Sequence, residues 1–207
     1  METAARYEGL GCAAQLVVTP YYNKTTQEGL YRHFMTIAEN TALPVIIYNV
    51  PSRTGLDIAP EILGRLCACE RFVGLKESSY DIPSVMEKMS AIDGRMTVYS
   101  GNDDTAVPLM AVGAKGLISV ASNVLPRALS RMTESWLAGD HEAALAQQLR
   151  LMPLLRALFA QVNPIPVKAA LGMLGVCHSE VRLPLVEADE RTRARLREAL
   201  AACDATA

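Results

Sequence analysis

Five short apolar runs, each followed by a stretch of helical periodicity, constrain this chain more than any other feature. They span residues 14–19, 45–50, 72–76, 97–101 and 116–122. Each is near-continuous rather than alternating, the pattern of parallel strands covered on both faces. Residues 27–40 place Leu30, Phe34, Ile37 and Ala38 on one helical face, behind a capping-box pattern of Thr25 and Glu28. Pro60 suits the first turn of a helix carrying Ile62, Leu63 and Leu66. Asp81 can cap a helix carrying Val85, Met86 and Met89. Asp104 can cap one carrying Val107, Met110 and Ala111 that Gly113 would end. From Pro126 onward the pattern is helical, with breaks at Gly139-Asp140, at Asn163-Pro164 and over 177–185. Strand and helix in alternation argue an α/β fold with a parallel sheet. No dinucleotide glycine fingerprint or Walker loop follows any of the runs.

The polar residues worth attention all stand at the C-terminal ends of these runs: Thr19-Pro20-Tyr21-Tyr22, Tyr48-Asn49, Lys76-Glu77-Ser78 and Ser100-Gly101-Asn102-Asp103. A (β/α)8, or TIM, barrel keeps its active site at that end. A whole barrel needs eight strands and about 250 residues. Five runs in 207 residues predict a partial barrel over 1–125, then the last barrel helix and a C-terminal helical region over 126–207. Residues 4–9 read as the end of a helix leading straight into the first strand. On this reading about three βα units of a barrel are lacking on the N-terminal side.

A formal charge of −2 gives no sign of a nucleic-acid or membrane-surface partner. No apolar run reaches the length of a membrane span, and the first residues lack a signal-peptide pattern. The five cysteines fit no disulfide framework or zinc spacing, which points to a reducing cytoplasm. Cys67-Ala68-Cys69 reads as packing, as do Trp136 and the methionines. His33, His141 and His178 are too scattered to suggest a metal cluster or a catalytic triad.

Of the five lysines, Lys76 continues a buried strand. Lys24 and Lys88 read as solvated, Lys115 lies in a turn, and Lys168 starts a helix. A lysine that ends a buried strand is poorly solvated as an ammonium, so its pKa should fall and leave a neutral amine able to attack a ketone. The alternative is a side chain that snorkels to water. Tyr48 ends the preceding strand and is either a core phenol or a proton shuttle beside an imine. Tyr22 ends the strand before that, and packing of a Tyr-Tyr pair at a subunit contact is its other reading. Arg53, five residues past Tyr48, is either a solvated loop arginine or a bidentate holder of a substrate carboxylate. Gly101 can let backbone approach a ligand, and the acids of Asn102-Asp103-Asp104 read as helix caps.

Six separated motifs stand in one order: 18–24 (Val-Thr-Pro-Tyr-Tyr-Asn-Lys), 27–30 (Gln-Glu-Gly-Leu), 48–55 (Tyr-Asn-Val-Pro-Ser-Arg-Thr-Gly), 74–77 (Gly-Leu-Lys-Glu), Ser100-Gly101, and 163–168 (Asn-Pro-Ile-Pro-Val-Lys). Together they resemble the dihydrodipicolinate synthase family over essentially the whole chain. The resemblance implies a cytoplasmic lyase of lysine and diaminopimelate biosynthesis that condenses pyruvate with L-aspartate-4-semialdehyde to 4-hydroxy-tetrahydrodipicolinate. It implies a homotetramer built as a dimer of dimers, no metal, and no cofactor beyond a covalent pyruvate imine on Lys76. Tyr48 matches the proton-relaying tyrosine, and Tyr22 the tyrosine lent to the neighbouring subunit's site. Arg53 matches the arginine that receives the semialdehyde carboxylate. Gly101 and Ile118 match positions lining the pyruvate pocket, Ile118 through its carbonyl, and Tyr21 matches a residue of the lysine feedback site. The Ser52-Arg53-Thr54-Gly55 form favours a synthase over sister pyruvate-dependent aldolases such as N-acetylneuraminate lyase. The family's early Gly-Thr-Thr-Gly-Glu motif, whose threonine completes the proton relay, has no counterpart here. The chain thus reads as an N-terminally truncated, C-terminal portion of the family pattern. An inactive chain acting only in assembly is the non-enzymatic alternative.

Overall fold

The structure, a computed structural model, describes residues 6–7 and 10–203. The expected helix end over 4–9 falls mostly outside them, and its two described residues, Arg6 and Tyr7, are helical. The chain divides into two compact units. One holds the residues up to Gly101 together with Pro108–Ile118, the other Asn102–Val107 together with the residues from Ser119 onward.

The first unit is built on a parallel sheet of four strands among the described residues, ordered as in the sequence: β1 (Gln15–Val18), β2 (Val45–Asn49), β3 (Phe72–Glu77) and β4 (Thr97–Ser100). Helices α1 (Gln27–Glu39), α2 (a single turn, Pro51–Thr54), α3 (Pro60–Leu66) and α4 (Ile82–Ile92) lie between the strands. The apolar faces of α1 and α3 are those the spacing predicts: Leu30, Phe34, Ile37 and Ala38, then Ile62, Leu63 and Leu66. The α1 cap is shifted by one residue. Thr26, not Thr25, accepts the Gly29 N–H at 3.2 Å, and Glu28 turns outward to Arg32 and Arg65. In α4, Asp81 caps as expected. Its buried stripe, however, is Val85, Lys88 and Ile92, while Met86 is exposed.

Burial along the strands alternates, which differs from the two-sided cover that the apolar runs suggest. Val45, Ile47 and Asn49 are buried, whereas Ile46 and Tyr48 are half-buried. The helices cover one face, where the Phe34 ring meets Phe72 edge-on. The half-buried face carries Tyr48 and Lys76. Near-continuous apolar runs thus hide a one-sided burial pattern.

The fifth predicted strand is the main correction. Residues 116–122 form no strand, only an isolated parallel bridge from Leu117 to Ser100. Ser100 N–H donates to the Gly116 carbonyl, and Ile118 N–H donates to the Ser100 carbonyl. The chain then turns into a short 3-10 helix at Ala121–Asn123. Asp103 explains the turn. Its buried carboxylate accepts the Ser119 hydroxyl and the N–H groups of Val120 and Ala121, the latter two at 3.0 Å. Backbone donors that would extend a ladder are drawn to a side chain instead. Asp103 is therefore not the helix cap expected of it. The 3-10 turn Asp103–Thr105, whose N-cap Asn102 makes no side-chain cap bond, leads into α5 (Ala106–Ala111).

The second unit is mainly helical: α6 (Pro126–Leu137), α7 (His141–Leu158), α8 (Ile165–Met173) and α9 (Glu190–Ala202), with breaks where the sequence predicts them. Leu151, Leu154, Leu155 and Leu158 of α7 are buried, as are Ala169 and Ala170 of α8 and Leu196 and Leu200 of α9. Gln148 of α7 is buried and holds the segment beneath Asp103, accepting from Val107 N–H and donating to the Asp103 carbonyl. Trp136 is only half-buried and stacks on His141, with ring centroids 4.1 Å apart. Among the described residues no helix is long and apolar enough to cross a membrane.

Replacing Asp103 with Ala leaves one buried N–H group, one half-buried N–H group and one hydroxyl without their acceptor. A loss of about 3 kcal/mol in unfolding free energy is expected, measured by urea denaturation followed by circular dichroism.

Candidate active site

Parallel pairing sets the site's geometry. Val18, Tyr48 and Lys76 occupy one row across β1, β2 and β3, and Tyr99 of β4 completes it. Strand partners in one row project to the same face, so the phenol and the amine stand side by side on the half-buried face. The Lys76 Nζ lies 4.2 Å from the centroid of the Tyr48 ring. This is within range of a cation–π contact, and the ring face also shields the amine from water on that side.

Gly101 closes the pair from the end of β4. A Cβ at this position would collide with the Ser78 hydroxyl and stand 3.0 Å from Lys76 Cε. The requirement is for space, since its φ is not among the positive values. Ile118 follows the bridge to Ser100, its N–H bonded to the Ser100 carbonyl at 2.8 Å. Arg53 lies in α2, exposed, directly beyond the end of β2. Gly55 closes that turn with φ +63°. Tyr21 and Tyr22 are the outliers, 68% and 90% exposed, and lie on the surface of the unit.

The next row, Asn49 opposite Glu77, faces the helices. Sequence reasoning overlooked it. Both residues are fully buried. The Asn49 amide nitrogen lies 3.0 and 2.9 Å from the two Glu77 carboxylate oxygens and 2.7 Å from Asp57 Oδ1. Lys88, expected to be solvated, is 1% exposed, with its Nζ 2.6 Å from Asp57 Oδ1 and 3.4 Å from Glu77 Oε2. Ser79 N–H donates to Glu77 Oε1 at 2.7 Å. The signal was present: Lys88 shares the α4 stripe with Val85 and Ile92, at spacings of three and four. Charged side chains are rarely buried, but that rule lapses when they are paired, as Lys88 is with Asp57 and Glu77.

Burial pushes the Glu77 carboxyl above its ordinary range. Lys88, Asn49 and the Ser79 N–H draw it partly back, and the Asp57 charge adds to the rise.

Comparison with known proteins agrees with this arrangement. Residues 1–203 match the family model described as the Dihydrodipicolinate synthetase family. The chain therefore belongs to that family, and its four-stranded parallel sheet matches part of the (β/α)8 barrel of its structural neighbours. A 4-hydroxy-tetrahydrodipicolinate synthase of Thermodesulfovibrio yellowstonii is 46% identical over 93% of this chain, and the matched part spans 66% of that protein. The dihydrodipicolinate synthase structure of Thermotoga maritima superposes with a TM-score of 0.96 at 42% identity, covering 99% of this chain and 70% of that one. A dihydrodipicolinate synthase of Acinetobacter baumannii, solved in complex with pyruvate, matches with a TM-score of 0.94 at 43% identity, over 98% of this chain and 70% of its own.

Two predictions follow from the geometry of this site. Since the folded Glu77 value lies above the unfolded one, its contribution to stability is fully present below about pH 4 and declines as pH rises through the folded value. Urea denaturation across that window should therefore show the parent losing stability relative to Glu77→Gln as pH rises. Gly101→Ala should displace the Lys76 side chain. Its reaction with a small carbonyl compound, read by mass spectrometry, should slow by roughly tenfold.

Proposed function

We propose that this chain forms a covalent imine between Lys76 and pyruvate, the first step of a 4-hydroxy-tetrahydrodipicolinate synthase. The observation that carries the reading is the pairing of Lys76 with Tyr48 in one row, with the amine over the phenol ring and Gly101 leaving room beside it. The Lys76 amine attacks the ketone carbon, and water leaves as the imine forms. The Tyr48 phenol passes the protons that carbinolamine formation and dehydration require. Loss of a proton from the pyruvate methyl then gives an enamine, the nucleophile toward the aldehyde of aspartate-semialdehyde.

Arg53 receives the carboxylate of that second substrate, a role suited to an exposed guanidinium on a closed turn beside the strand ends. Gly101 and the Ile118 carbonyl line the pyruvate pocket. The chemistry takes no metal or organic cofactor. Tyr22 serves the site of a neighbouring subunit in a tetramer built as a dimer of dimers, and Tyr21 contributes to a lysine feedback site. The exposure of both side chains supports their working at a subunit contact. The setting is the cytoplasm, in lysine and diaminopimelate biosynthesis.

Incubation with pyruvate and borohydride, followed by peptide mass mapping, tests the reading. The expected result is one reduced pyruvate adduct on Lys76, none in Lys76→Ala, and trapping slowed on the order of 100-fold in Tyr48→Phe. A folded parent chain that gains no adduct would refute it.

A further inference from the structure

The turn that carries Arg53 is held from behind the sheet. Within it, the N–H groups of Arg53 and Thr54 donate to the Val50 carbonyl, and Gly55 N–H donates to Pro51. The Thr54 hydroxyl bonds the carbonyls of Val50 and Leu56. These bonds shape the turn and tie its start to Val50, directly after β2. Its far end is held by the residues just after it. Asp57 Oδ1 accepts from Asn49 at 2.7 Å and from Lys88 at 2.6 Å. Ile58 N–H donates to Asn49 Oδ1, the Asp57 carbonyl accepts from Gln27, and Ala59 N–H donates to the Gln27 side chain. Lys88 and Asn49 are in turn held by Glu77, the residue that follows Lys76.

Two carboxylates, the buried Glu77 and the partly exposed Asp57, thus link the strand end bearing the amine to the loop bearing the guanidinium through Asn49 and Lys88. We propose that Asp57, with Lys88 and Asn49 behind it, is a positioning residue that fixes the Arg53 turn relative to Lys76 and Tyr48, and so sets where the carboxylate of an aldehyde substrate is received. The inference rests on the reading of Arg53 as the carboxylate receiver. Asp57 itself touches no substrate in this scheme. It acts through the backbone of 53–58.

Asp57 is the informative position because its side chain is partly exposed and its removal leaves Lys88 still paired with Glu77. Asp57→Ala should fold, with its cooperative urea transition kept. The KM for aspartate-semialdehyde should rise roughly tenfold, while kcat and borohydride trapping of pyruvate on Lys76 stay within about threefold of the parent. Asp57→Asn keeps the oxygen that accepts from Asn49 and Lys88, and should restore most of the KM. In an Arg53→Ala background the same Asp57→Ala change should add little further. An unchanged KM in Asp57→Ala, an equal rise in the Arg53→Ala background, or a parallel loss of trapping would each overturn the inference. Hydrogen exchange separates this failure from failure of the imine reading. If the parent traps no pyruvate, faster exchange of the amides over 53–58 in Asp57→Ala but not in Asp57→Asn still supports the positioning role. Unchanged exchange refutes it.

Discussion

Asn49 and Glu77 face each other across β2 and β3 with no access to solvent, and the bonds between them hold the register on which the site depends. A strand slipped by one residue would turn every side chain to the opposite face. Here a slip would also strand a buried carboxylate away from its amide and its lysine, and a buried unpaired charge costs several kcal/mol. Apolar neighbours such as Ile47 and Leu75 discriminate weakly between registers, because one aliphatic contact replaces another at little loss. The polar pair has a single satisfactory partner at a single offset.

That offset is not the one the flanking residues would set. Val45 pairs with Phe72, but Ile46 pairs with Gly74, so Val73 is an extra residue in β3. Val73 is accordingly 40% exposed while Phe72 is buried. If the offset of Val45 with Phe72 continued along the pair without the shift, Tyr48 would oppose Leu75, and Lys76 would share its row with Asn49. The amine would then point toward the helices and away from the phenol. Gly74, directly after the bulge, suits this place, since a Cβ there would come within 3.0 Å of the Thr97 carbonyl. The pairing of Lys76 with Tyr48 is therefore a product of the bulge, and Asn49 with Glu77 stabilises the shifted register.

This shows where the sequence could be read and where it could not. The helices were legible because a 3.6-residue period needs no knowledge of partners: the buried faces of α1 and α3 are the predicted ones. The strand ends and their polar residues were legible for the same local reason. The fifth strand was not. Residues 116–122 have the composition of a strand, and their fate turns on Asp103, a residue distant along the chain whose carboxylate outcompetes a ladder for the same N–H groups. Lys88 was misread for a related reason, as its burial is tolerable only because Asp57 and Glu77, 31 and 11 residues away, converge on it. Local pattern finds elements; it does not find the pairings that make a buried charge affordable.

The pleat divides the labour between adjacent residues. Tyr48 and Lys76 face one side of the sheet, and their immediate successors, Asn49 and Glu77, face the other. The reactive face holds groups that must stay adjustable and within reach of a small molecule. The helix side holds a satisfied polar cluster that has no reason to move. Geometry passes between the two sides through single peptide units, which are stiff and short. Much of the cost of holding the amine, the phenol and the Arg53 turn in place is thus borne by groups on the helix side of the sheet.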